Sequence, residues 1–222
     1  MAWQKLSRQR MAQLVVDDIP EGAYVNLGIG MPVMVGECLP KDREIILHSE
    51  NGILGMGPAD TSRPFDTDLV NASRKPVGLV PGASISDHVV SFAMMRGGKL
   101  DLTVLGAFQV SGKGDLANWD TGAATNIPSV GGAMDLVVGA KQVYVMMEHN
   151  TREGEAKVVD RCSYPLTGAG VVDRIYTDLA IIDVIDGSLT VRGMVEGLTR
   201  EELQSLTGAP LKFAAQVAVL KN

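Results

Sequence analysis

Residues 23–32 read AYVNLGIGMP, and residues 44–52 read EIILHSENG. Each begins as an apolar, strand-forming run and breaks at glycine. The first predicts a strand from Ala23 to Ile29 that ends around Gly28 and Gly30. Pro32 then suits the first turn of a helix toward Leu39, where its missing N–H costs nothing. The second predicts a strand over Glu44 to Leu47 that enters Ser49-Glu50-Asn51-Gly52 and a glycine-rich loop with Gly52, Gly55, Gly57 and Pro58. Strand, glycine turn, helix is the repeating unit of an open α/β sheet, and such sheets hold ligands beyond the carboxyl ends of their strands.

Working outward, residues 7–19 read as an opening helix. Ser7 can cap it, and Met11, Leu14, Val15 and Ile19 mark its apolar face. Residues 59–68 are polar and read as a surface loop. A strand is expected at Val77 to Val80, ending at Pro81-Gly82. A helix is expected at Asp87 to Arg96, stopping at Gly97-Gly98. Further strands are expected at Leu102 to Val110 and Val143 to Met147. Residues 111–132 lack periodicity, and a loop that long in a compact domain is usually functional. Asp186-Gly187-Ser188 between Leu179–Ile185 and Leu189–Arg192 signals a hairpin. Thr199 and Glu202 have the spacing of a capping box for a last helix with Leu203 and Leu206 inward and Gly208 behind it. The expected fold is α/β: one domain over residues 1–222, with a mainly parallel, mixed sheet flanked by helices.

The composition excludes several classes. With 45% hydrophobic and 21% charged residues, the 222-residue chain is that of a globular protein. Its formal net charge of −6 disfavours a general nucleic-acid binder. No apolar run reaches the about 18 residues a membrane helix needs, and the start of the chain has no signal-peptide pattern. Cys38 and Cys162 fit neither a disulfide framework nor a zinc site, and read as free thiols in a cytoplasmic protein. No metal is expected.

Few residues stand out as chemical. Gly28 and Gly30 give only a G-x-G, short of a dinucleotide fingerprint. No Walker A sequence and no G-x-S-x-G elbow occurs. His48, His88 and His149 have no metal-ligand spacing. Glu50 follows an apolar strand and precedes a glycine, with few charges nearby. Position alone leaves two readings, a solvated loop carboxylate and a site carboxylate, and the first is commoner.

Five segments in order, NLGIGMP (26–32), SENGILGMGP (49–58), SFAMMRGGKLDLTVLGAFQVS (91–111), GDLANW (114–119) and GGAMDLVVGAK (131–141), resemble the B subunit of the 3-oxoacid CoA-transferases. The similarity runs from about residue 7 to the end. GDLANWDTGAATNIPSVGGAMD (114–135) and LTREELQSLTGAPL (198–211) look most like the 3-oxoadipate branch. Acetoacetate-type members usually carry a longer PGKM-containing insert before GGAMD.

The resemblance implies a nucleophile at Glu50, a substrate- or thioester-positioning role for Asn26, and backbone amides of Gly131 and Gly132 near the reacting carbonyl. Gly28 and Gly30 join them as expected substrate- or CoA-binding positions that let the backbone come close. It further implies CoA as substrate and covalent intermediate with no permanent cofactor, succinyl-CoA as donor, and a partner A subunit in a heterotetramer of two A and two B subunits. Where many members read NAGK, this chain reads Asn71-Ala72-Ser73-Arg74, which keeps a cation but puts a lysine-specific contact in doubt. Ile53, Leu54 and Met56 are expected to keep water from the site. Arg63, Arg74, Lys75 and Lys113 are the cations available for a distal substrate carboxylate. Acetoacetate as acceptor and a non-catalytic CoA-binding module are the alternatives.

Overall fold

The computed structural model describes residues 3–62, 64–123 and 127–222. Helix α1 (Arg8–Asp17) opens the fold, its N-terminus closed by the Ser7 hydroxyl, which accepts from the Arg10 N–H at 3.2 Å. It buries Met11, Ala12, Val15 and Val16. Strand β1 (Tyr24–Leu27) and short helix α2 (Val33–Glu37) follow, then β2 (Ile46–Ser49), β3 (Ile53–Gly57) and β4 (Gly78–Ile85). Helix α3 (His88–Arg96) starts where the Asp87 carboxylate accepts from the Val90 N–H at 3.0 Å. After it come β5 (Leu102–Leu105), β6 (Gln109–Ser111), β7 (Leu116–Ala117), helix α4 (Ala133–Gly139), β8 (Gln142–Met146) and β9 (Val158–Val159). The chain closes with β10 (Arg174–Tyr176), β11 (Ala180–Ile185), β12 (Ser188–Val195), helix α5 (Arg200–Ser205) and β13 (Leu211–Leu220).

Ten strands form one sheet in the order β13-β12-β11-β10-β8-β5-β1-β2-β3-β4, and β7-β6-β9 form a second. The centre, from β10 through β8, β5 and β1 to β2, is parallel. Antiparallel strands flank it on both sides. The α/β, mainly parallel and mixed architecture read from the sequence is therefore the one observed. Val25, Leu102, Val104, Val143 and Val145 fill the middle of the core, each at most 2% exposed. Strands that run apolar on both faces are what a parallel sheet covered by helices requires.

Four local expectations need correction. The glycine-rich stretch after Gly52 is no loop: it is β3, which pairs antiparallel with both β2 and β4. Its glycines serve close approach to β4, with register shifting between Leu54 and Met56. Strand β4 does not end at Pro81-Gly82 but runs through them to Ile85, which an edge strand permits because its outward N–H positions need no partner. The expected single strand over 102–110 breaks at Gly106-Ala107, so β5 and β6 belong to different sheets. Strand β13, absent from the sequence reading, adds a parallel edge strand to β12. The late hairpin is as expected, with Asp186 and Gly187 at φ 49° and 65°, the positive pair a two-residue turn between twisted strands demands.

Candidate active site

Strands β1 and β2 pair in register, with Asn26 opposite His48. Past His48, the chain turns at Ser49–Gly52, closed by the Gly52 N–H donating to the Ser49 carbonyl at 2.9 Å. This short connection to β3 places Glu50 at the carboxyl end of a parallel strand. The segment 70–75 clamps it from both sides. The Ala72 N–H donates to the Ser49 hydroxyl at 2.9 Å, and the Asn51 side-chain amide donates to the Val70 carbonyl at 2.7 Å.

Glu50 faces a cavity of about 370 Å³. Asn26, Gly28, Gly131 and Gly132 line the same cavity, so five of the six expected site residues meet there. Among the described residues lining it, Glu50 is the one ionisable group, set among Leu27, Met31, Leu105, Leu136, Met146 and Met147. Gly132 approaches closest. Its N–H lies close enough to lower the Glu50 pKa, and a Cβ at Gly132 would collide with that carboxylate and reach within 3.2 Å of the Phe92 ring. Glycine is needed here for contact, not merely for flexibility. Gly132 also begins α4 without a side-chain cap, so its N–H is one of that helix's free amides, and it lies beside Glu50.

Burial raises the Glu50 pKa above its ordinary value, because removing the carboxylate from water disfavours its charge. The Gly132 N–H and the nearby His88 pull the other way, and Asp135 adds to the rise. The Asp135 carboxylate is itself paired with Arg96 at 2.6 Å. The outcome is a poorly hydrated carboxylate with one free backbone N–H beside it.

Other expectations are placed differently. Gly28 lines the cavity, but its N–H donates to the Val104 carbonyl at 2.8 Å and is not free for an oxyanion. A Cβ there would meet the Leu105 side chain at 2.9 Å, so packing onto β5 explains this glycine. Gly30, at φ 91°, stays outside the lining, and its carbonyl accepts from the Val33 N–H at the start of α2. Ile53, Leu54 and Met56 belong to β3 and do not line the cavity; the apolar groups that do come from β1, β5, α4 and the end of β8. Arg74 and Lys75 are exposed on the turn after Ala72, Lys113 is exposed on the β6–β7 turn, and none of the three lines the cavity. Arg63 lies outside the described residues.

Of the lining residues that the sequence left unassigned, two are held in place by hydrogen bonds from distant segments. Ala72 is carried in by the clamp on Ser49. Asn118 holds the break between β5 and β6, donating to the Gly106 carbonyl at 3.1 Å and accepting from the Thr167 hydroxyl at 2.6 Å. Its place inside the GDLANW motif was the available signal. Among the described residues no cluster of three or more His, Cys, Asp or Glu could hold a metal ion, and no helix is long and apolar enough to cross a membrane.

Comparison with known proteins supplies the remaining context. The family described as Coenzyme A transferase matches residues 8–205. The B subunit of a 3-oxoadipate CoA-transferase from Acinetobacter baylyi is 55% identical over 216 residues, 97% of this chain and 100% of that protein. The B subunit of a probable succinyl-CoA:3-ketoacid coenzyme A transferase from Bacillus subtilis is 45% identical over 98% of this chain and 100% of its own length. Among solved structures, an acyl-CoA transferase from Escherichia coli superposes with a TM-score of 0.77 at 16% identity, covering 100% of this chain and 44% of the other. That last likeness concerns the fold alone.

Proposed function

This chain belongs to the coenzyme A transferase family, and from that premise we propose that it is the glutamate-bearing B subunit of an enzyme that moves CoA from succinyl-CoA to 3-oxoadipate. The observation that carries this reading is Glu50: the one ionisable group among the described lining of an apolar cavity, in contact with the Gly132 amide. The higher identity to the 3-oxoadipate relative than to the 3-ketoacid one favours the dicarboxylic acceptor, with acetoacetate as the alternative.

The chemistry follows from the carboxylate. Glu50 attacks the thioester carbonyl of the donor, the C–S bond breaks, and CoA leaves as thiolate with an acyl-glutamyl anhydride behind it. The thiolate attacks the Glu50 side-chain carbonyl, expelling the donor acid and leaving a glutamyl-CoA thioester. The acceptor carboxylate then runs the same two steps in reverse. Neither step needs a proton moved, so a site without a general base suffices. Each passes through a tetrahedral oxyanion on the Glu50 or acyl carbon. The Gly132 N–H lies beside the Glu50 carboxylate, where it can donate to the oxyanion that forms on the Glu50 carbon in the second step. A preorganised donor of this kind is worth about 3–4 kcal/mol in the transition state. The apolar lining protects anhydride and thioester from water.

The described cavity lining offers no cation to meet CoA phosphates or substrate carboxylates. A partner A subunit, in a heterotetramer of two A and two B chains in the cytoplasm, supplies them. Ile85, Val89 and Val90, exposed at the end of β4 and the start of α3, suit burial by such a partner. The test treats the co-purified A and B subunits with acyl-CoA and then borohydride. A reduced thioester should appear as a mass change on the Glu50 peptide. An unmodified peptide in an active preparation would eliminate the covalent route. Turnover of 3-oxoadipate against acetoacetate, with succinyl-CoA as donor, decides the acceptor.

A further inference from the structure

Deep to the cavity, Asn26 leads into two further buried side chains, His48 and Ser91, that have no assigned part in the reaction. Asn26, His48 and Ser91 are at most 3% exposed. The Asn26 amide nitrogen lies 3.1 Å from His48 Nδ1 and 3.3 Å from the His48 carbonyl oxygen. On the far side of the ring, Nε2 lies 2.9 Å from the Ser91 hydroxyl, on α3.

We propose that His48 is a positioning residue for the transfer reaction, holding the Asn26 side chain so that its amide oxygen, and not its nitrogen, faces the Glu50 cavity. The proposal rests on the reading of that cavity as the transfer site. The assignment of atoms is forced by chemistry. A backbone carbonyl only accepts, so the end of Asn26 that reaches the His48 carbonyl must be the NH2 group. The same NH2 meets Nδ1, which must therefore be the unprotonated nitrogen. The ring proton is then on Nε2 and is donated to Ser91. The ring stays neutral, since burial pulls its pKa down to about 4. With the nitrogen committed, the amide oxygen has no donor among the described residues, and it is not sealed from solvent. It lines the cavity as an acceptor.

The consequence is a division of labour. Gly132 brings an N–H to the developing oxyanion, and Asn26 brings a C=O, which repels one. Asn26 must instead meet an N–H or O–H of the substrate and fix its placement. A turned amide would swap donor for acceptor and lose that contact, which is what His48 prevents.

Two measurements on the assembled enzyme test this. Nitrogen-15 spectra of labelled histidine should show His48 neutral from pH 6 to 8, with the proton on Nε2. A proton on Nδ1 would turn the amide around and overturn the proposal, whatever the reaction proves to be. The second measurement is kinetic. His48→Phe and Asn26→Ala should each lower kcat/KM by about tenfold or more, and the double variant should lose no more than the worse single one, as for residues acting as a unit. Losses that multiply would mean that His48 merely supports the fold. Thioester trapping on Glu50 succeeds or fails independently of both results.

Discussion

Glu50 and His149 both lie at carboxyl ends of parallel strands, β2 and β8, yet the chain treats their polar atoms in opposite ways. His149 is fully buried. One ring nitrogen lies 3.0 Å from the Thr177 hydroxyl and the other 2.9 Å from the Thr207 hydroxyl. The Thr207 hydroxyl donates its own proton to the Leu203 carbonyl at 2.7 Å, so it accepts from His149 Nε2. The His149 N–H goes to Asp178, which Lys5 neutralises at 2.7 Å. Every group has its partner, and burial holds the imidazole neutral, its pKa pulled down to about 4. Glu50 has one backbone N–H beside it, a raised pKa and a cavity in front of it. A buried polar group with all its bonds made is scaffold. One with capacity left over, facing open space, is free to meet a ligand.

The sharpest way to break this contrast is to neutralise each group. Glu50→Gln should lower kcat by about 10⁴-fold or more, because the nucleophile is gone. It should not cost stability. A folded-state pKa raised by burial means that the native state holds its proton more readily than the unfolded chain. The ionised carboxylate therefore weakens the fold progressively as pH rises through the raised pKa. Thermal melts should show the Gln variant about 2 °C higher at pH 7, with the gain vanishing below pH 4. A large loss of Tm would make Glu50 part of the scaffold after all.

Gly132→Ala probes the same site at its donor. The added Cβ collides with the Glu50 carboxylate, so kcat should fall by about 10²–10³-fold. Pushing the carboxylate away from the amide that lowers its pKa should also move the acid limb of kcat/KM to higher pH. An unchanged pH profile would remove Gly132 from the site.

His149→Leu probes the other region. It removes the ring's bonds to Thr177 and Thr207, whose hydroxyls keep their backbone partners, so urea unfolding should show a loss of about 1–2 kcal/mol. The kcat of the folded fraction should stay within about twofold. A specific catalytic defect would abolish the contrast.

These regions also differed in what the sequence revealed. The capping box at Thr199–Glu202, the Asp186-Gly187 hairpin and the Ser7 cap are local signals, written within four residues, and each was legible. The Glu50 site is made of contacts between distant segments. Nothing in SENG states that Gly132 will lie against its carboxylate, nor that Ala72 will bond to Ser49. Motif resemblance pointed to residues of which five line one cavity, but not to which amides remain free. Gly28 and Gly132 look alike as sequence, and only their partners separate a packed strand end from a donor in the cavity. Strand β3 was misread for the same reason: its glycines answer to β4, which lies beyond a polar loop.

The smallest effect is expected at the cap that stands behind the His149 cluster. The Thr199 hydroxyl accepts from the Glu202 N–H at 3.1 Å, and the Glu202 carboxylate accepts from the Thr199 N–H at 2.8 Å. This box starts α5, whose fully buried Leu203 supplies the carbonyl that orients Thr207. Thr199→Ala should cost about 1 kcal/mol of stability with kcat unaltered. Its pH dependence carries the sign opposite to that at Glu50. The bonds from Thr199 lower the Glu202 pKa, so the stability they contribute is present above the ordinary glutamate value and is lost as pH falls through the lowered one. The Tm gap between wild type and Thr199→Ala should therefore narrow between pH 6 and pH 3. The variant keeps the Thr199 N–H bond and loses the one its hydroxyl donates to the Glu202 carboxylate at 3.0 Å, so a gap that stays constant would mean that this second bond contributes nothing.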